Sequence, residues 1–181
     1  YTGEDSTHPI HGAIYHPPGG IVRHDAVVWG LAKGAAESGV HIHQQTEATD
    51  VLTKNGRVTG VQTDQGIVNT PKVLISAGGY SAALLNQFLD IRLPISVLTI
   101  QAMVTQPLKP LLNHVISSGA YHVYCNQTLK GEIATGAHMD AWPNYTNLTT
   151  ARYIKHQAEA LTEFLPCFKG LKFMRTWAGL A

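Results

Sequence analysis

The chain has 181 residues, 44% of them apolar and only 14% charged, with a net charge of +1 when histidine is neutral. That length fits one domain or one and a half, and the apolar share is enough for a core. The charge balance excludes the basic stripe of a nucleic-acid binder and the charge excess of a disordered chain. No run of about 18 apolar residues is present, so no transmembrane helix is expected.

Residues 1–20 are rich in Gly, His and Pro and predict loop or extended chain. Asp25 then offers an N-cap, and Val28, Leu31, Ala32, Ala35 and Ala36 recur at helical spacing until Gly39. The spacing predicts a helix over 26–38. Gly30 and Gly34 inside it leave a flat strip suited to close helix packing. Short strands are expected next at 41–44, 48–53 and 57–63, the last two joined by the hairpin pair Asn55-Gly56. Strands at 67–69 and 73–76 complete a small meander. Ala77-Gly78-Gly79 breaks it, and Ser81 is placed to cap a helix over 82–89.

The second half reads as an antiparallel sheet. Strands are expected at 95–106, 115–118, 121–126 and 132–138, with a turn over 128–131. Ala151, Ile154, Ala158, Leu161 and Leu165 predict the apolar face of a helix over 149–164, and Leu165-Pro166 ends it. A strand over 172–177 follows. The fold class is therefore mixed α+β and α/β, with domains expected at 1–92 and 93–181.

Chemical signatures are sparse. No G-x-G-x-x-G opens a βα turn, and neither a Walker A sequence nor a G-x-S-x-G elbow occurs. Cys125 and Cys167 have no metal-site spacing and read as two reduced, packed thiols. Among ten histidines, His41 and His43 share a strand face that predicts simple half-exposure, and no metal site is expected. The sequons at Asn126, Asn144 and Asn147 read as chance matches, because no secretory leader is legible. His24 stands out. It follows Gly19-Gly20, sits beside Arg23 and lies at a helix start, where free N–H groups and the dipole favour a phosphate. From the residues alone, a histidine bonded to backbone at a helix start is the favoured reading.

The run Gly19-Gly20-Ile21-Val22-Arg23-His24-Asp25-Ala26-Val27-Val28-Trp29-Gly30 resembles a signature of the beta subunits of heterotetrameric sarcosine oxidases. Gln45-Thr46-Glu47-Ala48-Thr49, Gly56-Arg57-Val58-Thr59-Gly60-Val61, Lys130-Gly131-Glu132 and Arg175-Thr176-Trp177 agree in order and spacing. The wider family is that of the D-amino-acid-oxidase-like flavoproteins. The resemblance implies an internal fragment, inactive alone, of a longer subunit whose Gly-rich FAD fingerprint precedes Tyr1. It implies a partial FAD-binding domain (helix plus small β-meander) joined to an antiparallel substrate sheet with a long packing helix.

The implied activity is oxidation of sarcosine to glycine, with FAD as hydride acceptor, a covalent FMN, and oxygen reduced to hydrogen peroxide. The fragment itself is not expected to retain a flavin. His24 falls on the FMN attachment position, with Arg23 beside it. Ala48 falls on the stretch meeting the adenine of FAD, and Ala77 and Gly78 on the small-residue turn against FAD. Tyr124 and His138 fall on the strands that roof the flavin and are expected to contact substrate. Implied partners are the other subunits of a heterotetramer and a small amine, with no nucleic acid and no membrane. The expected location is the cytoplasm. A single-flavin oxidase or dehydrogenase of another secondary amine or amino acid, and a non-catalytic interaction module, are the alternatives.

Overall fold

The structure, a computed structural model, describes residues 6–181. Residues 1–5, part of the expected N-terminal loop, lie outside the described residues. Two compact units result: Val22–Ile95, and Ser96–Ala181 joined by the segment up to Ile21. The boundary after Ile95 lies three residues past the expected one. The segment before Val22 groups with the later half of the chain, where the sequence reading had put it with the first domain.

The Val22–Ile95 unit opens with helix α1, His24–Glu37. Its N-cap is Arg23, not Asp25, which lies inside the first turn. Aspartate there favours the positive helix end as a cap would, so a cap read from composition alone slips by two positions. No residue of α1 is buried, and Cβ atoms added at Gly30 or Gly34 would meet nothing, so the expected close packing is not seen. Strands β1 (Ala48–Lys54), β2 (Arg57–Thr63) and β3 (Gly66–Asn69) form an antiparallel meander. Asn55 and Gly56 both have positive φ, +52° and +72°, which the two-residue hairpin requires. Residues 41–44 and 73–76 form no strand. They have no neighbouring ladder to satisfy their backbone groups. Helix α2, Ser81–Leu89, packs on β1.

The other unit is a five-stranded antiparallel sheet. Its strands are β4 (Thr99–Pro107), β5 (Ile116–Ser118), β6 (Val123–Gln127), β7 (Glu132–Met139) and β8 (Phe173–Leu180), in the order β5-β6-β7-β4-β8. Helix α3, Ala151–Phe164, covers one face, and its Thr150 side chain accepts the Tyr153 N–H as a true cap. Val123, Cys125 and Ile133 of the sheet pack with Leu161 and Phe164 of α3 and with Phe168 and Tyr121. The buried stripe of α3 is Tyr153, Gln157, Leu161 and Phe164; of the expected stripe only Leu161 is buried, and Ala151, Ile154, Ala158 and Leu165 are not. Gln157 explains the difference. It is fully buried because its Nε2 donates to Thr135 Oγ1 at 2.8 Å and to the Gly136 carbonyl. A polar residue with partners is a legitimate core residue, and apolar periodicity cannot see it. Cys125 is buried as expected, whereas Cys167 is exposed on a short 3-10 turn.

Among the described residues, no helix is long and apolar enough to cross a membrane, and no group of three or more His, Cys, Asp and Glu could hold a metal ion.

Candidate active site

Five of the expected site residues lie in the Val22–Ile95 unit. His24 is the first helical residue of α1 and is exposed. Arg23 beside it is not a free cation. Its guanidinium is hydrogen-bonded to the Asp25 carboxylate through two nitrogens, and Asp25 also accepts the Ala26 N–H. The pair raises the Arg23 pKa and lowers that of Asp25, the hydrogen bond between them being the main cause. The positive charge expected next to His24 is therefore largely neutralised.

Ala48 opens β1 and is exposed. The backbone of Glu47 before it is tied to Asp64, its N–H donating to Asp64 Oδ1 at 3.0 Å and its carbonyl accepting the Asp64 N–H. Ala77 and Gly78 precede α2, and the Ala77 N–H donates to Ser81 Oγ at 2.9 Å. Ser81 thus secures this turn as the first helical residue of α2, not as its N-cap. Gly78 has φ +56°, and nothing lies within 4 Å of where its Cβ would be. A small residue pair with open space over its backbone fits a closely approaching cofactor. These residues fit the flank of an FAD site. The donor set for its diphosphate is not among them.

Tyr124 and His138 belong to the five-stranded sheet, and the structure does not bring them to one surface. Val123 and Cys125 point into the α3-side core, so Tyr124 points to the opposite face. Its ring lies across Gly136, its cross-strand partner: a Cβ on Gly136 would be 2.9 Å from the Tyr124 hydroxyl oxygen. Burial pushes the Tyr124 pKa up. His138 would follow Gly136 onto the same face in a regular strand. A bulge intervenes, because Ala102 pairs with Gly136 while Ile100 pairs with Met139. The His138 ring instead meets His156 of α3 edge-on, with centroids 5.4 Å apart. The expectation that both residues face one flavin surface is corrected on this point. A bulge carries no sequence signal as plain as a turn, and a resemblance that places His138 on a strand does not show it.

The sequence reading missed the polar frame at this end of the sheet. Gln101 is buried in β4, donates to Asp140 Oδ1 at 3.2 Å and accepts the Thr150 N–H at 2.9 Å. Asn144 donates to Asp140 Oδ2 and meets the buried Thr99 hydroxyl. This network ties the loop between β7 and α3 to the sheet and sets where α3 begins. A buried Gln and Thr alternating in an apolar strand was the available signal.

A family model described as FAD dependent oxidoreductase matches residues 2–181. The sarcosine oxidase subunit beta of Rhodobacter capsulatus is 36% identical over 173 residues, covering 96% of this chain and 42% of that protein. The Rhizobium meliloti subunit of the same name is 36% identical over 177 residues, again covering 42% of that protein. Among solved structures, an L-proline dehydrogenase from P. horikoshii matches with a TM-score of 0.78 at 28% identity, covering 85% of this chain and 42% of that one. The chain thus spans less than half the length of these relatives.

Proposed function

Because the chain belongs to the FAD dependent oxidoreductase family, we propose that it is the central part of a sarcosine oxidase beta subunit, oxidising sarcosine to glycine within a multi-subunit enzyme. The observation that carries this reading is the 36% identity to such subunits over nearly the whole chain. FAD, when bound, would supply the hydride acceptor for the substrate and FMN the route to oxygen as final acceptor, giving hydrogen peroxide, while water takes the N-methyl carbon off as formaldehyde and leaves glycine. The cytoplasm is the proposed location, and the other subunits of the oxidase are the proposed partners.

Ala48, Ala77 and Gly78 flank FAD, where their small side chains leave the backbone open to it. His24 carries FMN through a ring nitrogen. Its exposure at the head of α1 leaves that nitrogen accessible, and the N–H groups of the helix start favour the flavin's negative charge. Tyr124 contacts substrate. Its phenol is protonated at neutral pH as any tyrosine's is, and burial pushes its pKa further up, so it is an O–H donor for a substrate carboxylate. His138 lies with α3, so substrate contact is assigned to Tyr124 alone.

One observation favours a single-flavin amine or amino-acid oxidoreductase as the second reading. Arg23 is committed to Asp25, which weakens the phosphate site expected beside His24. The test uses the whole flavoprotein, mixed without oxygen with sarcosine, glycine or proline while the visible flavin band is followed. Sarcosine should bleach it fastest. Bleaching by proline but not sarcosine would establish the second reading, and no bleaching by any amine would overturn both.

A further inference from the structure

The end of β7 and the first turns of α3 enclose a cleft of about 400 Å³ that the proposed function does not use. Its lining includes His138, Asp140, Trp142, Arg152, Tyr153 and His156. Arg152 and His156 are one helical turn apart on α3, so they share a face. The His156 ring meets His138, and His138 meets His122 with centroids 6.4 Å apart. Among the described residues Arg152 has no ion-pair partner, and its guanidinium lies 6.0 Å from the Trp142 ring centroid. The cation next to it in sequence, Lys155, is paired with Glu159.

The one carboxylate in the lining, Asp140, is already engaged. Its two oxygens accept from Gln101 Nε2 and Asn144 Nδ2. Basic nitrogens of Arg152, His156 and His138 thus share this cleft with Asp140, which keeps its charge but is held by neutral amides and, among the described residues, pairs with none of these cations. His138 is held toward its neutral form, by burial first and then by His156, His122 and Arg152. A separate observation points to a missing partner. Tyr153 is 3% exposed and, among the described residues, its hydroxyl has no hydrogen-bond partner, nor has the buried His138 Nδ1. Buried polar atoms without partners are rare in folded proteins and mark an unfilled role. The positive end of the 14-residue α3 lies at the same place.

We propose that this cleft binds a small oxyanion, held by Arg152 and His156, with His138 and the Tyr153 hydroxyl as further donors. The site is separate from the Tyr124 face of the sheet. An oxyanion here favours protonated imidazole, so binding takes up a proton and strengthens as the pH falls through the ordinary histidine range. Arg152 holds the anion at every pH, and the histidines set the pH dependence.

The test follows the thermal midpoint of the whole flavoprotein as sulfate is added at about pH 6 and about pH 8, with ionic strength held by sodium chloride. Wild type should show a saturable rise, tighter at the lower pH. Arg152→Gln should weaken the apparent sulfate affinity about tenfold. His156→Gln should reduce the difference between the two pH values, and Lys155→Gln should leave both curves in place. Should Arg152→Gln fail to fold, His156→Gln still tests the pH dependence. A rise that does not saturate, or one identical in wild type, Arg152→Gln and His156→Gln, overturns the proposal.

Discussion

Replacing Gly136 by alanine tests how the sheet presents Tyr124. The new Cβ would lie 2.9 Å from the Tyr124 hydroxyl oxygen, 3.1 Å from its Cε1 and 3.0 Å from the Gln101 carbonyl oxygen. Gly136 does not have a positive φ, so alanine is acceptable to the backbone itself. The strain is therefore steric. Tyr124 must lift by several tenths of an ångström, while the Gln101 carbonyl is fixed in β4. Overpacking of this kind costs about 1–3 kcal/mol, which lowers the melting temperature by a few degrees. The same displacement should raise KM for the amine several-fold. Removing the ring relieves two of the three contacts, so Gly136→Ala should cost less in a Tyr124→Ala background, with a coupling of about 1 kcal/mol. Thermal unfolding of the four proteins of this cycle measures it. Strictly additive effects, or a Gly136→Ala protein with unchanged stability and KM, would refute the placement of Tyr124 across Gly136.

Leu161→Ala removes a side chain that is 1% exposed and central to the α3 core, and should destabilise by about 2–5 kcal/mol in denaturant unfolding. Gln127 accepts the Leu111 and Leu112 N–H groups and donates to the Leu108, Lys109 and Gly131 carbonyls. Gln127→Ala should therefore cost about 2 kcal/mol, at roughly 1 kcal/mol per net bond and less for the exposed ones, and protease cleavage should increase in the 108–112 loop. Burial, and to a lesser extent Cys167, pushes the Cys125 thiol up to about 11. A thiol reagent at about pH 8 should thus modify Cys167 quickly and Cys125 only on unfolding. Because the folded pKa of Cys125 is raised, its contribution to stability is complete below its ordinary value and is lost as the pH climbs toward 11. Equal labelling rates for the two cysteines would contradict the burial of Cys125.

Much of the fold could be read from local chemistry. Asn55-Gly56 fixed its hairpin, and Leu165-Pro166 fixed the end of α3, because a turn pair and a proline act within a few residues. Strands β4, β6 and β7 were legible from their alternating and β-branched residues. What the sequence hid depends on distant partners. Residues 41–44 and 73–76 look extended but find no ladder. The buried face of α3 includes Gln157, whose burial makes sense only beside Thr135 on another element. The bulge that turns His138 away from Tyr124 arises in the pairing of β7 with β4, which no single segment encodes. Arg23 looked like a free charge for a phosphate, yet the carboxylate two residues on holds it. The resemblance that singled out His24 reads residue identity and order. Its role is chemical and belongs to the whole protein.

The most direct test of the sarcosine oxidase beta-subunit reading is the mass of the His24 peptide. The whole protein, assembled with its partner subunits and replete with flavin, is denatured, precipitated and digested. The account predicts a peptide carrying His24 heavier by one covalently bound FMN, with FAD released to the supernatant. An unmodified His24 peptide, with all flavin released, would contradict it and leave a single-flavin oxidoreductase in its place.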